Sequence, residues 1–382
     1  MDFKNHISVA AFLFSSLVIG LSISGCGKKD GYANSGSLNT YNFIYVGNFG
    51  SSTLNSFYID KQGVVTIAAN SITTGAGTSS VNDLQVSPDG KHLYSANKST
   101  NNVSSYSISP LAETNSGQLT YLDVAAAGSG SSAVKFHPNG KFAYITNSSA
   151  LTNNISFYTV DQTSGALTLS LTSYTARTNP TNLVFSPSGS HLFVINRGTS
   201  DISSYSVSSS SGALNTIALS TVTGSNPEDL AIHPNGSYLY TLCVGSNRIY
   251  MHKNTGGTVS ALTPAFINTG NGPKKLVISP NGKYVYVSNN TDNTISVYSI
   301  DSSTGLLTQI AGSPFAAVSG AGVYALSVTP ESRFLIASGD SNGNGYIYQI
   351  DDTTGAISQI GSALTLGANP RSIEIVPLSV IE

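Results

Sequence analysis

An all-β chain folded as a seven-bladed β-propeller, with four antiparallel strands per blade, follows from three observations. A proline-centred turn recurs at near-even spacing, the segments beside it alternate apolar and polar residues, and the two ends of the chain hold complementary parts of one repeat. The turns read SPDG from Ser87, HPNG from His137, SPSG from Ser186, HPNG from His233, SPNG from Ser279 and TPES from Thr329, and Pro377 closes the series. Their prolines stand 50, 49, 47, 46, 50 and 47 residues apart, the period of supersecondary units that bury their apolar faces only against one another.

The first strand of each unit lies upstream of the proline, where Leu84 and Val86, Val134 and Phe136, Leu183 and Phe185, and their counterparts down to Ile373 and Ile375 alternate with period two. In the turn, proline fixes φ and glycine accepts a left-handed conformation. A second strand follows, KYVYVSN from Lys283 or KFAYITN from Lys141, then a third such as ISVYSID from Ile295 or ISFYTVD from Ile155. After a turn of the SSTG or QTSG kind comes a fourth, LLTQI or ALTLS. Residues 42–72 hold second, third and fourth strands without a first, and residues 370–377 hold a first strand with nothing after it. Pairing the C-terminal strand with the N-terminal blade therefore completes a seventh sheet and leaves no long open edge.

The amino terminus reads separately. A stretch from Ile7 to Ile23 is apolar, and Ile23-Ser24-Gly25-Cys26 is similar to the lipobox of bacterial lipoprotein precursors. The expected organisation is a signal peptide over 1–25, a flexible Gly/Ser/Asn tether over 26–41 lipidated at Cys26, and the propeller over 42–382, placed in the bacterial cell envelope. Cys243 is then the one remaining thiol, so burial and strand pairing must hold the fold. A formal charge of -2 with 9% charged residues offers no field for nucleic acid. A monomer without cofactor or metal is expected, with the membrane reached through the lipid.

Recurring polar residues sort by face. His137 and His233 begin proline turns, His92 and His191 follow them, and so they fall on the rim away from the channel mouth. Asp60, Asp161, Asp301 and Asp351 close third strands as acceptors in turns. Asn48, Asn97, Asn147, Asn196 and Asn289 end second strands, where blade geometry favours bracing of the loop, and Tyr45, Tyr94, Tyr144, Phe193, Tyr240 and Tyr286 read as inter-blade core.

The charges that do not repeat are the candidate site. Where the chain enters each first strand stand Asn82-Asp83, Ser132-Ala133, Thr181-Asn182, Glu228-Asp229, Lys274-Lys275, Tyr324-Ala325 and Arg371-Ser372. Arg177 and Arg197 occupy loops of the same face. The candidate binding residues are Asp83, Arg177, Arg197, Glu228, Asp229, Lys274, Lys275, Tyr324 and Arg371; Glu228, Asp229 and Arg197 are the candidates for catalysis.

Tyr286-Val287-Ser288-Asn289, Tyr144-Ile145-Thr146-Asn147 and Tyr45-Val46-Gly47-Asn48, each beside a proline turn, resemble the YVTN-type repeats of lactonase-like seven-bladed propellers, a family that includes 6-phosphogluconolactonases. The resemblance spans residues 42–377, and the absence of Trp sets the chain apart from WD-repeat and kelch blades. For the enzymes of that family it implies a His at the entry of a first strand and an acidic DLG-type turn after a second strand. Those places hold Thr181-Asn182 and Asn196-Arg197-Gly198 here. The leading expectation is therefore a non-catalytic or weakly specialised, membrane-tethered lipoprotein that binds a partner protein or a small anionic ligand at the charged channel face, with enzyme activity left open. The enzyme alternative is a lactonase acting on a sugar lactone, with Glu228 or Asp229 as base and Arg197 or Lys274 holding an anionic group. A third reading is a structural or adhesive surface module.

Overall fold

The computed structural model describes residues 38–381 other than 74–79, 111–115, 153, 221–222 and 319. The expected signal segment, most of the expected tether and Cys26 lie outside the described residues. Among those described there are twenty-nine strands and no helix, gathered into seven antiparallel sheets.

Blade 1 is the closing blade: from the axis outward its strands are Pro370–Ile381, Leu38–Asn48, Thr53–Ile59 and Val65–Thr73. The inner strands of blades 2 to 7 are Val81–Val86, Ser131–Phe136, Pro180–Phe185, Pro227–Ile232, Pro273–Ile278 and Val323–Val328. Each packs against the next, and Pro370–Ile381 packs against the inner strands of both blade 2 and blade 7, so the ring is closed. The clasp is longer than the proline spacing suggests. Leu38 already pairs with Ile381 and Tyr41 with Leu378, so strand begins within the segment read as tether. In blade 6 the outermost strand is split into Leu307–Gln309 and Phe315–Ala316, both paired with Thr294–Ile300.

Blades are held together by apolar second strands that carry one polar tip. Tyr45, Tyr94, Tyr144, Tyr240 and Tyr286 are fully buried between blades. Each hydroxyl donates to a glycine carbonyl in the outer turn of the next blade: Gly117, Gly165, Gly212, Gly305 and Gly355 in turn. One ring thus supplies hydrophobic burial and satisfies a turn carbonyl across the interface. Phe193 fills the same place in blade 4 without the hydroxyl.

Candidate active site at the channel mouth

Two backbone devices, repeated in every blade, build the mouth. The first is a β-bulge. Each inner strand slips register against its neighbour at one place, between Val81 and Asp83, Pro227 and Asp229, or Val323 and Leu326, and at the matching place in the other blades. The residue inside the slip is left out of the ladder and re-aimed. Those residues are Asn82, Ser132, Thr181, Glu228 and Arg371, and in blades 6 and 7, where the slip spans two residues, Lys274 with Lys275 and Tyr324 with Ala325; the first residue of each slip stands at the strand's entry beside the opening.

The second device fixes the loop after each second strand. The amides of Phe49, Lys98, Ser148, Arg197, Val244, Asn290 and Asp340 donate at 2.9–3.1 Å to the carbonyls of Asn369, Ser80, Gly130, Asn179, Asn226, Gly272 and Gly322. All seven acceptor residues sit in the left-handed region, with φ between 51° and 72°. Beneath five of these loops the recurring Asn is buried and braces the third strand, while Cys243 and Gly339 take its place in blades 5 and 7. Asn97 Nδ2 donates to Asn102 and Ser104, Asn147 Nδ2 to Ser156, Asn196 Nδ2 to Asp201 and Ser203, and Asn289 Nδ2 to Thr294 and Ser296.

Residues from the two rings converge from six blades. Arg197 Nη1 stands 3.2 Å from Glu228 Oε2. Arg371 pairs with Asp340 at 3.4 Å, and its guanidinium lies 4.1 Å from the centroid of the Phe49 ring and 5.2 Å from that of Tyr324. Lys274 Nζ approaches the Tyr324 ring at 5.9 Å. Lys98 belongs to the same cluster. Burial pushes its ammonium below the usual lysine range, Glu228 pulls it back up, and Arg197 and Arg371 push it down again. Burial and the nearby Glu228 charge push the Tyr324 phenol up to about 12, with Arg371 opposing, so the hydroxyl keeps its proton. Four cations, Lys98, Arg197, Lys274 and Arg371, face two carboxylates, Glu228 and Asp340. The mouth thus gathers more cationic than anionic side chains, and both carboxylates are partly exposed there, Glu228 on the Arg197 side and Asp340 beside Arg371.

Three of the residues expected at the mouth lie one level deeper. Past the bulge, the next side chain points along the inner strand toward the neighbouring blade. Asp83 Oδ2 accepts from the Val134 amide at 3.1 Å and from Lys135 Nζ at 3.0 Å. Asp229 accepts from the Leu276 amide at 2.8 Å, from Lys275 at 3.3 Å and from Asn182. Asp83, Asp229 and Lys275 are thus corrected from mouth residues to braces inside the channel. Asp229, 3% exposed and fully engaged, is removed as a base. Arg177 is also corrected: its guanidinium is held at 2.5 Å by Asp201, on the third strand of blade 4 and away from the axis. Lys98, Asp340 and Phe49 were not singled out from sequence, because each follows the end of a second strand as an ordinary loop residue.

The turn carboxylates and histidines have local roles. Asp161 and Asp351 each accept two backbone amides, and Asp301 accepts the Ser303 hydroxyl and two backbone amides, which holds all three below the usual carboxylate range. His137 Nδ1 and His233 Nδ1 accept the amides of Asn139 and Asn235 in their own turns. Burial pushes His252 down to about 4.

Comparison with known proteins agrees with the geometry. The chain matches the family described as lactonase, 7-bladed β-propeller, over residues 37–126, 115–230 and 223–379. Among solved structures it is similar to the periplasmic gluconolactonase of Pseudomonas aeruginosa, with 17% identity, a TM-score of 0.75, and coverage of 91% of this chain and 100% of that one. A Bacteroides fragilis protein provisionally described as a 6-phosphogluconolactonase gives 19% identity and a TM-score of 0.74, again over 91% and 100%. Hydrazine synthase of Kuenenia stuttgartiensis gives 18% identity and a TM-score of 0.54 over 83% and 96%, so the ring itself also carries unrelated chemistry. A search of curated proteins finds no match. The family match overturns the expectation of a non-catalytic, membrane-tethered binding module. That expectation weighed two positions lacking a His and an acidic turn, whereas the match runs through all seven blades, and the chain belongs to the lactonase family of seven-bladed β-propellers.

Proposed function

We propose that the protein hydrolyses a sugar lactone at the channel mouth, with Glu228 as general base. The observation that carries this reading is the Arg197–Glu228 pair at 3.2 Å, set among four cations in a member of the lactonase family. The structural likeness to the Pseudomonas aeruginosa gluconolactonase supports the substrate class.

In the reaction, a water oxygen adds to the lactone carbonyl carbon as Glu228 takes its proton. The carbonyl oxygen becomes an oxyanion, for which Lys98, Arg371 and the protonated Tyr324 hydroxyl supply positive charge and a donor. The ring C–O bond then breaks, Glu228 returns the proton to the departing alkoxide, and the product is a hydroxy acid. Arg197 orients the carboxylate by a charge-assisted contact. Lys274, stacked beside Tyr324, holds an anionic group of the substrate.

The test is a pH-stat assay on gluconolactone and its 6-phosphate. Glu228→Gln is expected to lower kcat by about 10²–10⁴-fold, the usual contribution of a general base. Lys274→Ala is expected to raise KM for the phosphorylated lactone more than for the neutral one. Wild-type rates no faster than spontaneous ring opening, or full activity in Glu228→Gln, would overturn the proposal. The lipobox-like Ile23–Cys26 supports an envelope location for this activity, and intact-mass measurement of membrane-extracted protein, looking for acyl groups on Cys26, tests that separately.

A further inference from the structure

Of the four cations at the mouth, three are engaged. Arg197 is paired with Glu228 at 3.2 Å, Arg371 with Asp340 at 3.4 Å, and Lys274 Nζ lies 5.9 Å from the centroid of the Tyr324 ring. Lys98 differs: among the described residues no carboxylate lies within 4.0 Å of its Nζ and no acceptor bonds to it. Its side chain is half-buried, and the amine is not sealed from solvent.

The loop fixes where this side chain starts. The Lys98 amide donates to the Ser80 carbonyl at 3.1 Å, and Ser99 Oγ donates to Ser80 Oγ at 2.7 Å, so two neighbouring bonds pin the turn. From there the side chain comes within electrostatic reach of Glu228, Arg197 and Arg371, which stand on blades 5, 4 and 1. A blade 2 residue that senses all three carries its amine over the channel axis rather than along its own rim. Burial holds the ammonium below the usual lysine range; Glu228 opposes this, and Arg197 and Arg371 add to it. A lysine desolvated beside other cations keeps more of its amine free, and such an amine is a nucleophile toward carbonyl carbon.

We propose that Lys98 forms an imine with a small anionic carbonyl compound, an aldehyde or ketone that carries a carboxylate or phosphate. The amine nitrogen adds to the carbonyl carbon, and Glu228 carries protons from nitrogen to oxygen. The carbinolamine C–O bond then breaks, both amine protons end on that oxygen, and it leaves as water. No oxidant or reductant is needed. Lys274, with no carboxylate within 4.0 Å among the described residues, receives the anionic group. The ammonium form of Lys98 serves the oxyanion in the proposed hydrolysis, and the amine form reacts here, so imine formation does not depend on lactone cleavage.

Borohydride trapping on the full chain tests it, with glyoxylate as the anionic probe and glycolaldehyde as its neutral counterpart. Reduction turns the imine into a stable secondary amine that intact mass counts and peptide mapping locates. One adduct on Lys98 is expected, formed about tenfold faster with glyoxylate than with glycolaldehyde. Lys98→Arg should lose it, and Lys274→Ala should slow trapping of glyoxylate about tenfold. In the wild type, adducts spread over the other lysines, or labelling of Lys98 no faster than in urea-unfolded chain, would overturn the proposal however the variants fold. An adduct that persists in Lys98→Arg, or equal rates with the two aldehydes, would overturn it as well. No lactone enters the assay, so its outcome is separate from that of the hydrolysis.

Discussion

Below the mouth, five ionisable side chains share the channel, and Glu374 has the least comfortable place. It accepts from Gln85 Nε2 at 2.6 Å and from the Val86 amide at 3.2 Å, yet burial pushes its carboxyl up to about 7, with Lys135 and Lys275 opposing and Asp83 adding to the rise. The folded form therefore binds this proton more tightly than the unfolded chain, whose glutamate titrates near 4.5. Stability from this group is present below about pH 4.5 and is lost as pH rises toward 7. Glu374→Gln keeps acceptor and shape, so it should flatten that slope and leave the variant more stable than wild type at pH 8; urea melts at pH 5 and 8 measure it. Little of this was legible in the sequence. Glu374 and Lys135 occupy the position that Val184, Ala231, Val277 and Ser327 fill in other blades, so they read as ordinary strand residues. Lys98 likewise reads as a surface lysine until seven equivalent amide bonds draw its loop to the axis.

At the scale of single elements, alternation and the proline turns made the inner, second and third strands readable, because a half-buried pleated segment imposes period two on its residues. The bulge was not readable, since one residue slipping out of register changes no composition. Aligning prolines therefore found both entry residues of each strand without telling which one faces the mouth, and Glu228 and Asp229 stayed equivalent until the ladder separated them. The outer strands were also poorly marked: Leu169 and Leu171 are exposed on blade 3, against what alternation suggests for a core strand. The second strands carry the inter-blade bonds, and that yields a clean test. Tyr144→Phe removes the donor to the Gly212 carbonyl while keeping the ring, as Phe193 does naturally, and should cost about 1 kcal/mol. A shift in denaturation midpoint without change of slope would match that expectation.

For the whole molecule, closure was the most legible property, because complementary fragments at the two ends admit one pairing. Ile44 pairs with Ile375 and Val46 with Ile373, and the buried Ile373 and Val376 join cores shared with neighbouring blades. Deleting residues 370–382 should thus do more than remove one strand: it exposes the full edge of Leu38–Asn48 and uncovers two interfaces at once. Gel filtration of the truncated chain is expected to show aggregates, and a folded monomer would contradict the ring closure described above.

The clasp also sets how the protein can be mounted. Leu38 and Ile381 lie side by side at the far end of the ribbon, whereas Asn48 and Pro370 lie at the mouth. The outer ends of the two clasp strands therefore meet at the rear of the ring, so a group joined at either strand end would sit on the face opposite the mouth.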